Sequence, residues 1–78
     1  MSPETLREML RQQPFVPFRI HTTDGRTFDV RHPEMVLVMS RTVVVGIYDT
    51  QKNATFPERS ETIALIHIVS LEPLGQAV

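Results

Sequence analysis

The stretch FRIHTTDGRTFDV, residues Phe18 to Val30, constrains the fold of this chain more than any other. Apolar and polar residues alternate on both sides of Asp24-Gly25, the pattern of two half-buried strands around a turn. The alternation also selects a register. A two-residue turn at Asp24-Gly25 would set Ile20 opposite Asp29, placing a charge on the apolar face. A three-residue loop, Thr23-Asp24-Gly25, sets Ile20 opposite Phe28 and Phe18 opposite Val30. That loop ends in a left-handed residue followed by a bulge, which assigns structural roles to Gly25 and Asp24. Arg19, His21 and Asp29 then belong to the outer face.

A helix precedes the hairpin. Ser2 is a capping residue, Pro3 suits the first helical position, and Glu4 meets the positive end of the helix dipole. Leu6, Met9 and Leu10 share one face at spacings of three and four. Pro14 and Pro17 stop the helix, which is expected over about residues 3–13. It is too short to be stable alone and must lie on the strands.

After the hairpin, Pro33 in "RHPE" blocks continuous pairing in a central strand, a structural role. "MVLVMSRTVVVGIY" reads as two strands joined at Ser40-Arg41. Residues 49–61 are polar with one proline and read as a mobile loop. "TIALIHI" and "VSLEPL" read as two last strands. The strand candidates are about 17–23, 26–31, 35–40, 42–48, 62–67 and 69–73. Val43-Val44-Val45 and "IALIHI" are apolar on both faces, so these strands require cover on both sides, from the core and from the helix or another subunit. The expected core is Leu6, Met9, Leu10, Phe18, Ile20, Phe28, Val30, Val36, Val38, Val43, Val45, Ile63, Leu65, Ile68 and Leu71.

The 78 residues suit a single domain, 1–78, with limited surface to bury. Oligomerisation is the natural supplement, because the chain has no cysteine for disulfides or thiolate metal sites. A formal net charge of −1 argues against binding nucleic acid through bulk charge. No apolar run reaches the ~20 residues of a membrane span, and the start of the chain lacks the pattern of a signal peptide. A cytoplasmic protein with no membrane association is the expectation.

No nucleophile elbow, phosphate-binding glycine loop or HExxH occurs, so no catalytic residue, cofactor or metal is expected. His32-Pro33-Glu34 offers an imidazole near a carboxylate, but acid–base or metal chemistry needs further partners. Arg19 and Arg31 lie at the open end of the hairpin, where a positive spot can form; a solvated face is the plainer reading. His67 falls in an apolar strand, either as an edge or turn histidine bonded to backbone or as a contact residue.

Taken together, "VPFRIHTTDGRTFDV" resembles the first motif of the Sm-like (Hfq-like) small-barrel family of bacterial RNA chaperones. "MVLVMSRTVVVG" is similar to that family's third strand and the start of its fourth. "IHIVSLEP" resembles its second motif, with His67 and Ser70 at the motif's histidine and serine. The chain also resembles an uncharacterised group of short bacterial proteins sharing a PFR.H..DGR.F.V.HPEM pattern, for which no activity is implied. The family resemblance implies a mainly β (α+β) fold: an N-terminal helix followed by a five-stranded, strongly bent antiparallel Sm/SH3-like barrel. It further implies self-association through strand edges, the family's fourth strand pairing with the next subunit's fifth, around a pore that takes single-stranded RNA. His67, Ser70, Arg19, Arg31 and Met35 are the candidate contacts with RNA or a protein partner. The chain departs from the family at three places. Ile66 replaces the lysine before the histidine, Met35 stands where bases stack on an aromatic ring, and Gln12 and Gln13 replace the basic rim. Two functional classes follow: an interaction or assembly module without enzyme activity, and a homo-oligomeric RNA-binding protein with a degenerate site.

Overall fold

In a computed structural model, which describes residues 1–48 and 56–75, one helix precedes six strands. Helix α1 spans Pro3–Arg11. The strands are β1 (Phe18–Thr22), β2 (Thr27–Val30), β3 (Val36–Val38), β4 (Thr42–Ile47), β5 (Arg59–Ala64) and β6 (Ile68–Pro73). One-turn 3-10 helices at Pro33–Met35 and Leu65–His67 separate β2 from β3 and β5 from β6.

The cap of α1 is built as its sequence suggests. Ser2 Oγ accepts a hydrogen bond from the Thr5 amide at 3.2 Å, and Glu4 and Arg11 complement the dipole at the two ends. The helix stops at Arg11 rather than near residue 13. Gln12 is already extended, with ψ 138°, and Pro14 disfavours helical backbone at Gln13 directly before it.

The first hairpin takes the three-residue register. Phe18 faces Val30 and Ile20 faces Phe28. Gly25 sits at φ 83°, and its amide donates to the Thr22 carbonyl at 3.1 Å. The second hairpin turns at Ser40-Arg41: Val38 faces Val43, and the Met39 amide donates to the Thr42 carbonyl at 2.9 Å.

The six strands form two antiparallel three-stranded sheets, ordered β2-β1-β6 and β3-β4-β5. The expected five-stranded, strongly bent barrel is therefore corrected to six strands in two sheets, a mostly β fold with one helix. The reason lies at the two corners. Pro33 has no amide to donate to a ladder, so the chain leaves β2 through a 3-10 turn and enters the other sheet as β3. Leu65–His67 makes the equivalent turn between β5 and β6.

That second turn also corrects the expected strand over 62–67, which is β5 followed by a 3-10 turn carrying His67. Residues 49–55 of the expected loop lie outside the described residues, whereas Arg59–Glu61 belong to β5. Their polar side chains do not prevent pairing, because Val45 and Ile47 of β4 need backbone partners and take Glu61 and Arg59.

The core lies between the sheets and under α1. Leu6, Phe15, Phe18, Ile20, Val30, Val43, Val45, Ile63, Leu65 and Ile68 are buried. Met9, Leu10, Phe28, Val36, Val38 and Leu71 pack against them. Every residue expected in the core is in one of these two sets. Phe15, with Met1 and Ile47, which also pack against the core, was not expected there. Phe15 sits among prolines without periodicity, yet its ring lies 6.1 Å from that of Phe18 in a tilted pair. Each fully buried aliphatic or aromatic side chain contributes about 1.5–3 kcal/mol. Leu37, Ile66 and Val69 stay exposed in the single chain. Among the described residues no helix is long and apolar enough to cross a membrane.

Candidate functional site

Three surfaces carry the candidate residues. The first is the outer face of β2-β1-β6. Alternation along β1 points Arg19 and His21 away from the core, and the register sets them opposite Asp29 on β2 and Glu72 and Ser70 on β6. Arg19 grips Asp29 with two hydrogen bonds, Nε to Oδ1 at 2.7 Å and Nη2 to Oδ2 at 3.2 Å. Arg31 Nη2 reaches the same carboxylate at 3.5 Å. His21 Nε2 lies 2.8 Å from Glu72 Oε1, and Arg19 Nη1 lies 3.9 Å from it.

The pair shifts both titrations. The hydrogen bond from Arg19 and its nearby charge hold the Asp29 carboxyl below the usual carboxylate range, with Arg31 adding to the effect. Hydrogen bonding to Asp29 raises Arg19. The positive spot expected from Arg19 and Arg31 is thereby corrected: both cations converge on one carboxylate, and Glu72 lies beside the first. Ser70 stands exposed on β6 opposite His21.

The second surface is the tip of the first hairpin, which leans on the second 3-10 turn. The Thr23 amide donates to the His67 carbonyl at 2.9 Å, and Thr23 Oγ1 lies 3.4 Å from His67 Nδ1. An open cleft of about 240 Å3 lies beside this contact, lined by Thr23, Asp24, Arg26, Ile63 and His67 among others. His67 is exposed, and its backbone makes the closer of these two bonds.

Asp24 organises the tip. Its carboxylate accepts from the Thr22 hydroxyl, from the Arg26 amide at 3.4 Å and from Arg26 Nε at 2.8 Å. The Thr22 bond is the largest cause of its lowered pKa, followed among the lowering effects by the bonds and charge of Arg26. Arg26 also approaches Glu61 Oε2 at 3.6 Å and lies over the Phe28 ring, 5.5 Å from its centroid. The cleft therefore holds a neutralised guanidinium rather than a free one.

The third surface is made of strand edges. Among the described residues β5 pairs only with β4, and β6 only with β1, so each six-residue strand leaves one edge unpaired there. Between them Ile66 is 80% exposed and Val69 60% exposed. Unpaired amides and carbonyls beside exposed aliphatic side chains are a template for another strand.

The remaining candidates do not join these groups. Pro33 opens the first 3-10 turn, whose Met35 amide donates to the His32 carbonyl at 3.1 Å, and Met35 is half-buried at the entry to β3. Among the described residues no cluster of three or more His, Asp or Glu is placed to hold a metal ion. Glu72 and Val69 were not singled out from sequence, and Ile66 was noted only as standing where the resembled family has a lysine. Alternation places Glu72 and Ser70 on one face, but only the pairing of β6 with β1 brings Glu72 to His21. Compared with known protein families, curated proteins and solved structures, the chain matches none.

Proposed function

We propose that this chain is a non-enzymatic assembly module of Sm-like type, whose copies join edge to edge through their last two strands. The carrying observation is the pair of unpaired six-residue edges, β5 and β6, meeting at a turn that exposes Ile66 and Val69. Backbone pairing across such an edge satisfies amides and carbonyls that water otherwise holds, and apolar side chains beside it leave solvent. Short chains gain from this because their own core is small. The chain order also suits the small-barrel reading: β6 returns to pair with β1, and the sheets connect at two tight corners.

A protein surface explains Arg19, Arg26, Arg31 and Arg59 better than an RNA surface does. Arg19, Arg26, Arg31 and Arg59 each contact a carboxylate of the chain itself. Phosphate binding requires cations free to replace counterions.

Light scattering coupled to size-exclusion chromatography tests the reading. The expected result is a stable multiple of the 8.9 kDa chain, insensitive to salt, with no nucleic-acid absorbance. Ile66→Lys combined with Val69→Lys puts like charges on the edge and is expected to dissociate it, since both side chains are exposed in the single chain. A monomer at every concentration overturns the proposal. Co-purifying nucleic acid that leaves at high salt replaces it with the RNA-binding reading.

A further inference from the structure

Asp24-Gly25 is the only Asp-Gly pair in the chain, and it lies at the exposed tip of the first hairpin. Such a pair is reactive in an open polypeptide. The amide nitrogen after an aspartate can attack the side-chain carboxyl carbon, and glycine, having no Cβ, leaves that nitrogen unshielded. Asp29 offers the contrast, because Val30 follows it with a branched Cβ beside the nitrogen.

The reaction needs no reagent beyond water. The Gly25 nitrogen bonds to Asp24 Cγ, and the hydroxyl of the protonated carboxyl leaves with the amide proton as water. The product is a five-membered succinimide ring. Water then adds to one of its two carbonyls. Opening at Cγ restores aspartate. Opening at the backbone carbonyl leaves the chain running through Cβ and Cγ, with the former backbone carbonyl as a free carboxylate. That residue is an isoaspartate.

The folded tip occupies each group that the attack requires. The Gly25 amide donates to the Thr22 carbonyl at 3.1 Å. The Asp24 carboxylate accepts from the Thr22 hydroxyl, from the Arg26 amide at 3.4 Å and from Arg26 Nε at 2.8 Å. These donors favour the ionised carboxyl, so the protonated form, which alone has a hydroxyl to lose, becomes scarcer. The backbone around the pair is clamped as well. The Thr22 amide donates to the Arg26 carbonyl at 3.0 Å, and the Thr23 amide to the His67 carbonyl at 2.9 Å.

We propose that Asp24-Gly25 is a latent self-modification site: the open chain forms succinimide and then isoaspartate there, and the bonded tip holds the folded chain back. The reaction in the folded chain then proceeds through openings of the tip, and its rate reports how often they occur. The product alters the fold. An isoaspartate adds one backbone atom to the three-residue loop whose length sets Ile20 opposite Phe28. The altered chain no longer specifies that hairpin, so a reversible opening becomes a permanent change.

Peptide mapping of the full chain tests this, after incubation at neutral pH with and without guanidinium chloride. Trypsin releases residues 20–26, which carry Asp24-Gly25, and residues 27–31, which carry Asp29-Val30. Loss of one water marks the succinimide, and an isomer of unchanged mass but altered retention marks isoaspartate. In denaturant, peptide 20–26 is expected to convert while peptide 27–31 does not. In the folded chain conversion is expected to be slower by about tenfold or more, a ratio set by how rarely the tip opens. Arg26→Gln removes the guanidinium donor at an exposed position and is expected to give an intermediate rate, read in its tryptic peptide 20–31. Its fold is checked by circular dichroism. Equal rates in folded and unfolded wild type overturn the proposal, and that comparison needs no variant. An unreactive unfolded chain overturns it too, as does a folded Arg26→Gln chain that converts no faster than folded wild type.

Discussion

Arg19 and Asp29 stand directly opposite each other across β1 and β2 and are joined by two hydrogen bonds, at 2.7 and 3.2 Å. A fork-to-carboxylate pair at a directly opposed position fixes orientation as well as charge. It also draws in Arg31, 3.5 Å away, which would otherwise point freely to solvent.

The pair makes stability depend on acidity. Asp29 and Asp24 both titrate below their ordinary value of 3.8 in the folded chain. A depressed carboxylate contributes stability that is fully present above its unfolded value and is lost as pH falls through the folded one. The urea midpoint is therefore expected to hold steady above about pH 5 and to fall below about pH 4. Asp29→Asn removes part of that fall. A variant with the same acid profile as the wild type would show that the pair contributes nothing.

Gly25→Ala isolates the backbone term of the first hairpin. A Cβ at Gly25 meets nothing within 4 Å, so only the left-handed φ of 83° opposes it. The expected loss is about 1–2 kcal/mol, with a smaller loss for Gly25→Asn, read as a shift in Tm. Equal Tm values for all three chains would contradict the turn geometry.

Leu6→Ala tests how far α1 belongs to the core. Leu6 is fully buried, and the nine-residue helix is too short to hold itself. The expected loss is about 2–5 kcal/mol in urea unfolding, most of what a domain this small possesses. A loss below about 1 kcal/mol would mean that the helix is dispensable.

RNA provides a direct contrast. A filter-binding titration with oligouridylate is expected to show no salt-sensitive affinity. A linear fall of log affinity with log salt concentration would show phosphate contacts that the paired arginines do not explain.

The most legible parts of this chain are the local ones. Alternation around Asp24-Gly25 specified the loop length and the pairing of Ile20 with Phe28, because a one-residue slip would put Asp29 on the buried face. The three- and four-residue spacing of Leu6, Met9 and Leu10 specified the buried face of α1. Among the candidate contacts, His67 and Ser70 were visible as residues, but the surroundings of His67 were not. An apolar run such as Leu65-Ile66-His67 reads equally well as strand or as 3-10 turn until its neighbours are known.

The sequence by itself therefore determined the helix, the two tight hairpins, the inward-facing residues and the structural roles of Gly25, Asp24 and Pro33. These follow from steric preference and periodicity within a few residues. Tertiary structure decided that Phe15 is buried, that the strands divide into two sheets, and that Arg19 and Arg31 share Asp29. It also decided that, among the described residues, β5 and β6 end with open edges. Each of these depends on which distant strand lies alongside, as β6 beside β1. Pairing of that kind is settled by burying the whole apolar surface at once and satisfying every backbone group, a condition that no local pattern contains.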